Sequence, residues 1–540
     1  MIPDRCSTLK THAQRWLRTG LAGAFVIVGA MACESGPKAG EEGAYYGQLA
    51  IEKPIKEAEA AMNHLEQLKD PKSLPWLHKV LESDRTLLKP KAALIVGIIG
   101  DDSSVDPLLA AIEWNAAGGN DPKARAAAMT NERVAKALGK IGKPENTKVV
   151  DTLKRLLDST RVETQLAAIV ALGKLKATGA VSELIDIADG HTNNFMVKNA
   201  AEALGDIGDA KAVPVLIKLL FFERTGVSFY REASYALFQI GKPAVDAVVD
   251  LYDGKFETGL EDMQISAGVK KAKALVVLAD IAADPRITAR CTEAAGFPTS
   301  DTANALARVY GQQCLGRLAD KSAGPVLRKV WDDIDQSVAE HALYSIAQVG
   351  AKEYAGELLK MTTFDGFVAQ CLSLDKRNKK EVCEAASSQV RPPRVIALSR
   401  IAPASMLPDF EKMIAEEKDE KLKATITEGR DRLLAVKDCE GKGDACFIGL
   451  LKDPNARKRE RAAYELRSAR SPEAIAALVE ALGDEDNEAR FGAILALWVN
   501  PPKEAAARAT EILKNEAGKN QYVRINEDLK RLEIKAARGY

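Results

Sequence analysis

A chain of 540 residues with 46% hydrophobic content carries enough apolar surface for a large buried core, which argues against a disordered protein. Aromatics are only 5% while Ala and Leu recur throughout, a balance that suits helix packed on helix better than sheet. Its 76 basic residues equal its 76 acidic ones, so total charge gives no reason to expect nucleic acid or an anionic membrane surface as a partner, and five histidines leave little for metal chemistry.

The N-terminus reads as a targeting segment. Arg5, Lys10, Arg15 and Arg18 face one acid, Asp4, and Gly20 to Ala32 then runs uncharged through Leu21, Phe25, Val26, Ile27 and Val28. As a helix that run reaches only about 20 Å, short of a bilayer core of roughly 30 Å. It ends in Ala30-Met31-Ala32, a small-x-small cleavage pattern, directly before Cys33. A cysteine at that place resembles the lipobox of bacterial lipoproteins, which implies a lipidated Cys33 and a membrane anchor facing the periplasm or the exterior of the cell envelope. Ala30 stands where that family prefers Leu, so ordinary secretory cleavage after Ala32 stays open. Residues 1–32 are thus expected as a lipoprotein-type signal peptide and 33–44, which lack an apolar period, as a flexible tether.

Beyond the tether one fragment recurs: Val96-Gly-Ile-Ile-Gly100, Leu138-Gly-Lys-Ile-Gly142, Leu172-Gly-Lys-Leu175, Leu204-Gly-Asp-Ile-Gly208, Leu237-Phe-Gln-Ile-Gly241, Leu278-Ala-Asp-Ile281, Leu315-Gly-Arg-Leu318, Ile346-Ala-Gln-Val-Gly350 and Leu398-Ser-Arg-Ile401. Weaker copies centre on Leu65, Leu434, Leu466 and Leu497, and seven of the twelve intervals between anchors fall between 31 and 34 residues. Each unit reads as an Ala-rich amphipathic helix ending in glycine, a short turn with Asp or Pro, and a second amphipathic helix such as Ala212 to Leu220. The pattern resembles HEAT repeats, and among them the phycobilisome-lyase-like subtype with its Ala-Leu-Gly-x-Ile-Gly core. That resemblance implies an all-α fold, an α-solenoid of about 13 HEAT-like helix pairs forming a curved superhelix. The repeats are expected over 45–515 and a C-terminal capping helix over 516–540, its polar face made by Arg524, Glu527, Lys530 and Arg531. The basic residue that the subtype often carries six or seven places before the anchor is matched by Lys198, Arg231, Arg459 and Arg490. The runs Asp375 to Glu381 and Arg457 to Arg461 read as solvated faces.

The period breaks at 115–124, 253–264 and 365–390, each time after a second helix and before the next first helix, so the insertions are expected along one edge of the array. With Cys6 removed alongside the leader and Cys33 lipidated, six of the eight cysteines remain, an even count for an oxidising compartment. They fall into close pairs: Cys291 with Cys314, Cys371 with Cys383, and Cys439 with Cys446. In an elongated array distant units do not meet, so disulfides between these neighbours are favoured over long-range pairing and over metal binding.

No motif with a catalytic mechanism is present. Gly139-Lys-Ile-Gly142-Lys143 has the wrong spacing for a phosphate loop, and His64, His78, His191 and His341 fall in separate units and read as structural. Neither cofactor nor metal is expected. The pattern points to a non-catalytic scaffold that binds a protein or peptide along its concave wall, which HEAT-like solenoids line with second helices. Among aromatics on or just after those helices, Phe221, Phe222, Tyr252 and Trp331 are the candidate anchors. A structural envelope spacer is the first alternative, and a lyase-like or chaperone-like HEAT protein the second.

Overall fold

A computed structural model describes residues 37–540, apart from 117, 118, 283, 332, 334, 375, 376, 517–522 and 540. The described chain is built almost wholly of helices, with one two-stranded hairpin, Glu223–Arg224 paired antiparallel with Val227–Ser228. Two compact units divide it, Met1–Ala171 and Leu172–Tyr540, within the span expected as one array. No described helix is long and apolar enough to cross a membrane.

In the first unit, helix begins at Glu42, inside the segment expected as a tether. The reason is local packing: Gly43, Gly47 and Ala50 are buried, and Tyr46 stacks on His64 with ring centres 4.6 Å apart. Long and short helices then alternate, Lys89–Ile99 and Pro122–Ile141 with Leu74–Glu82 and Thr147–Leu156. Asp121 starts the longest of them by accepting a hydrogen bond from the Ala124 N–H at 2.8 Å, with Pro122 at the first helical position.

The recurring Leu-Gly has a physical cause in both units. A β-carbon on Gly139 would lie 2.7 Å from the Ala171 Cα, and one on Gly205 would lie 2.7 Å from the Ala236 Cα. The glycine therefore marks the point where one first helix crosses the next at main-chain distance. The second glycine of the fragment ends the helix: Gly208 adopts φ +80° as its cap, a left-handed geometry that costs glycine nothing. The Asp of the following turn is equally defined. Asp101, Asp209 and Asp320 each accept from the N–H two residues on, at 2.9, 2.8 and 2.9 Å, and begin a 3-10 turn that leads into the second helix.

In the second unit, distant repeats meet, contrary to the expectation for an elongated array. The last four residues of a helix leave their carbonyls without partners inside the helix, and this end carries the negative pole of the helix dipole. The C-terminal repeats supply donors to these ends in reverse chain order. Arg461 donates to the carbonyls of Ser399 (2.5 Å) and Ala402 (3.1 Å) at the end of the Lys380–Ile401 helix. Arg467 donates to Gln348 and to Gly316 (2.8 Å), at the ends of Gln336–Val349 and Ala305–Leu318. The Trp498 indole donates to Ala279 (3.3 Å), and Lys535 to Asp280 (3.0 Å) and Ile281 (3.4 Å), at the end of Ala267–Ile281. The first helices between residues 267 and 401 thus end against residues 461–535 along a seam.

The Val523–Arg538 helix, expected as a cap, also belongs to that seam. Asp528 is buried and pairs with Arg317 at 2.7 Å, Arg531 lies 3.0 Å from Asp280, and Glu527 pairs with Arg231 at 2.7 Å. Of the four residues expected to form its polar face, Arg524 and Lys530 are exposed, while Glu527 and Arg531 meet charged partners on earlier repeats.

Candidate functional site

Cys33, the expected lipidation site, and the leader before it lie outside the described residues. The six other cysteines form three bonded pairs, Cys291–Cys314, Cys371–Cys383 and Cys439–Cys446, with Cα separations of 5.9, 5.8 and 5.4 Å. All three lie in the second unit.

The aromatic candidates divide. Tyr252 and Trp331 are each 1% exposed, so both are core residues and offer no ring to a partner. Tyr252 donates its hydroxyl to the Arg290 carbonyl at 3.2 Å, and the Trp331 ring packs edge-on against Tyr354 with centres 5.9 Å apart. Burial in the space between consecutive helix pairs is what a large ring on an inner helix face gains most from. Phe221 and Phe222 are half-buried at the base of the 223–228 hairpin. Phe222 stacks on Phe229 at 5.8 Å, with Arg224 about equally far from both rings at 6.0 and 5.9 Å. Lys273 sits 5.0 Å from the Phe221 ring and donates to the Leu220 carbonyl at 2.6 Å. These phenylalanines hold the hairpin to the repeat and do not project from it.

The neighbouring turn carries what the candidates lack. Phe195, at the start of the Asn194–Ile207 helix, is 68% exposed. Its surroundings are fixed: Asn193 caps the helix by accepting the Phe195 N–H at 2.8 Å, and Arg224 of the hairpin donates to Asn194 Oδ1 (2.9 Å) and the His191 carbonyl (2.8 Å). An exposed ring is therefore framed by hydrogen-bonded polar groups from two consecutive units. Reading along the chain for rings on second helices missed it, because Phe195 stands at the entrance to a first helix.

The insertions also differ from one another. In the 115–124 region Arg155 lies over the Trp114 ring at 3.8 Å. The 253–264 segment buries Leu260, and its Glu257 pairs with Lys270 of the following helix at 3.3 Å. The 365–390 insertion builds a helical hairpin, the Phe364–Leu374 helix followed by the long Lys380–Ile401 helix, joined across their near ends by Cys371–Cys383.

The Arg457 to Arg461 run is buried chemistry, which corrects its reading as a solvated face. Glu460 is 0% exposed and its carboxylate receives Arg400 (2.7 Å), Arg432 (2.8 Å) and Arg457 (2.8 Å). Burial opposes its ionisation, yet the three guanidiniums prevail and hold its pKa at about 2. The arginine seven places before the anchor has a consistent job: Arg459 donates to the Asp453 carbonyl (3.0 Å) and Arg490 to the Asp484 carbonyl (3.0 Å), each tying its helix to the segment before it. Arg308 and Arg391 stand at the same register and donate to the Pro298 (2.6 Å) and Thr362 (2.8 Å) carbonyls, two members that the sequence pattern did not single out.

The histidines are occupied locally. His78 lies 2.8 Å from the Ser104 hydroxyl with its pKa lowered by burial, and His191 Nδ1 accepts the Asn193 N–H at 3.1 Å. Among the described residues no group of three or more His, Cys, Asp or Glu side chains is placed to hold a metal ion.

No curated protein sequence matches the chain. Among solved structures, the chain is similar to yeast importin-beta at 13% identity, covering 98% of this chain and 79% of that one with a TM-score of 0.46. Importin beta crystallised from polyethylene glycol aligns at 13% identity over 91% of this chain and 74% of that one, TM-score 0.47. Human deoxyhypusine hydroxylase in complex with glycerol aligns at 17% identity over 57% and 96%, TM-score 0.21. The family model described as HEAT repeats matches residues 150–221 and 445–525, so HEAT repeats are shown in those two regions.

Proposed function

We propose that this protein is a non-catalytic HEAT-repeat scaffold, tethered to a membrane of the bacterial envelope through Cys33, that binds a protein partner along the edge formed by the 191–195 turn and the 223–228 hairpin. The observation that carries the binding reading is Phe195, an aromatic ring 68% exposed within a hydrogen-bonded rim. A lone exposed ring on a rigid frame has the anatomy of an interface anchor, since little conformational freedom is lost when a partner covers it. The tether rests on the order of basic leader, apolar run, Ala30-Met31-Ala32 and Cys33.

Crosslinking in intact envelopes followed by purification of the full-length protein identifies the bound partner, and binding is then measured with Phe195→Ser. Loss of about tenfold or more in affinity with unchanged helicity is the expected result. Unchanged affinity would remove this edge from the interface. For the tether, acyl modification of wild type and none in Cys33→Ser is expected, and unmodified wild type cut after Ala32 would exclude the lipid anchor.

A further inference from the structure

The loop closed by Cys371–Cys383 stands apart from the edge assigned above. Its stem is rigid: Phe367, Val368 and Cys383 form a small core of their own, packed by Cys371, Ala386 and Val390. Arg391 and Arg394 fasten the stem to the repeat by donating to the Thr362 (2.8 Å) and Met361 (3.0 Å) carbonyls at the end of the Ala355–Thr362 helix. Beyond the disulfide the pattern inverts. Leu372, Leu374 and Val382 are 37%, 56% and 59% exposed, although the stem core lies a turn away. Arg377, Lys379 and Lys380 are exposed among them, with Glu381 beside them and Glu384 3.7 Å from the Lys380 ammonium, a pair exposed enough to exchange for an anionic headgroup.

The aliphatic side chains lie on both arms of the reversal, so they ring an end and do not line a groove. The end of such a hairpin covers little of a protein surface, whereas a fluid interface closes around it. Exposed aliphatics interleaved with lysine and arginine match the two layers of such an interface, acyl chains below and anionic headgroups above. We propose that the described residues flanking the reversal form a membrane contact that inserts Leu372, Leu374 and Val382 at the surface of an anionic phospholipid bilayer, with Arg377, Lys379 and Lys380 against the phosphates. This contact is independent of the anchor at Cys33 and of the edge at Phe195.

The test is amide hydrogen exchange of the full-length protein, wild type and Cys33→Ser, with phosphatidylcholine vesicles that do or do not contain phosphatidylglycerol. Exchange within 372–382 is expected to slow about fivefold or more on the anionic vesicles in both proteins, and the slowing to vanish in high salt. Two surface variants, Leu372→Glu with Leu374→Glu, and Lys379→Glu with Lys380→Glu, should each abolish it while exchange in the Cys291–Cys314 region stays unchanged. Unaltered exchange at the tip on anionic vesicles would overturn the proposal, and so would slowing that is indifferent to both variants. Protection of the tip by the crosslinked protein partner and not by vesicles would assign it to a protein contact instead. If wild type and Cys33→Ser behave alike at the tip while neither is acylated, the anchor fails and the tip stands.

Discussion

Burial opposes ionisation at both Glu460 and Lys535, and it is overcome at the first and prevails at the second. Three guanidiniums hold the Glu460 carboxylate ionised down to about 2, against an ordinary value of 4.5. Its contribution is therefore complete above pH 4.5 and is lost as pH falls from there toward 2. Glu460→Gln should cost about 3–5 kcal/mol at neutral pH, because three arginines are left without their shared anion, and should flatten the acid limb of the urea-denaturation profile. Lys535 is fully buried against Trp498, its ammonium 4.7 Å from the ring, and desolvation lowers its pKa from 10.5 to about 7 despite attraction from Asp280. Here the unfolded chain holds the extra proton between about pH 7 and pH 10.5, so stability rises with pH through that window. The difference in Tm between wild type and Lys535→Met, scanned from pH 6.5 to 10, should change with that sign; a flat difference would mean that Lys535 is solvated.

At the level of the helix, glycine inside the repeated fragment carries a prediction that runs against its usual behaviour. Gly→Ala in an ordinary helix stabilises by up to about 1 kcal/mol. Gly205→Ala should instead destabilise by about 1–3 kcal/mol, since its β-carbon would meet the Ala236 main chain at 2.7 Å. Gly449→Ala, where a β-carbon meets nothing within 4 Å, should follow the ordinary sign, and urea titration of the two variants separates close approach from propensity. The helix pairs, their anchors and the Asp turns were legible in the sequence because each depends on residues a few positions apart. The fate of Arg457 to Arg461 was not, since Glu460 is buried by Arg400 and Arg432 from other repeats. Nor was Phe195, whose exposure is set by the hairpin and not by any period.

Across the second unit as a whole, the seam changes what repetition implies. In an open array each repeat answers only to its neighbours, and damage at one end stays there. Here Lys535 and Trp498 satisfy carbonyls 255 and 219 residues earlier. Ending the chain before Val523 should therefore raise amide exchange in residues 267–318, far from the deletion in sequence, while residues 380–401, which meet Arg461, respond less. Uniform or purely C-terminal loosening would contradict this. The sequence concealed the seam because its donors are an ordinary arginine, lysine and tryptophan whose acceptors are main-chain carbonyls, and carbonyls leave no signature in composition. The seam also sets a schedule. Contacts so distant along the chain are slow to form, and a chain that emerges from its N-terminus holds the Ala305–Leu318 helix with an open end until Arg467 arrives and the Ala267–Ile281 helix with its end incompletely met until Lys535 does. Synthesis can lay down the early repeats one by one, but the second unit closes only with its last turn of helix. A chain interrupted before Val523 carries nearly every repeat yet leaves the Ala267–Ile281 helix end, far upstream, without its Lys535 donor.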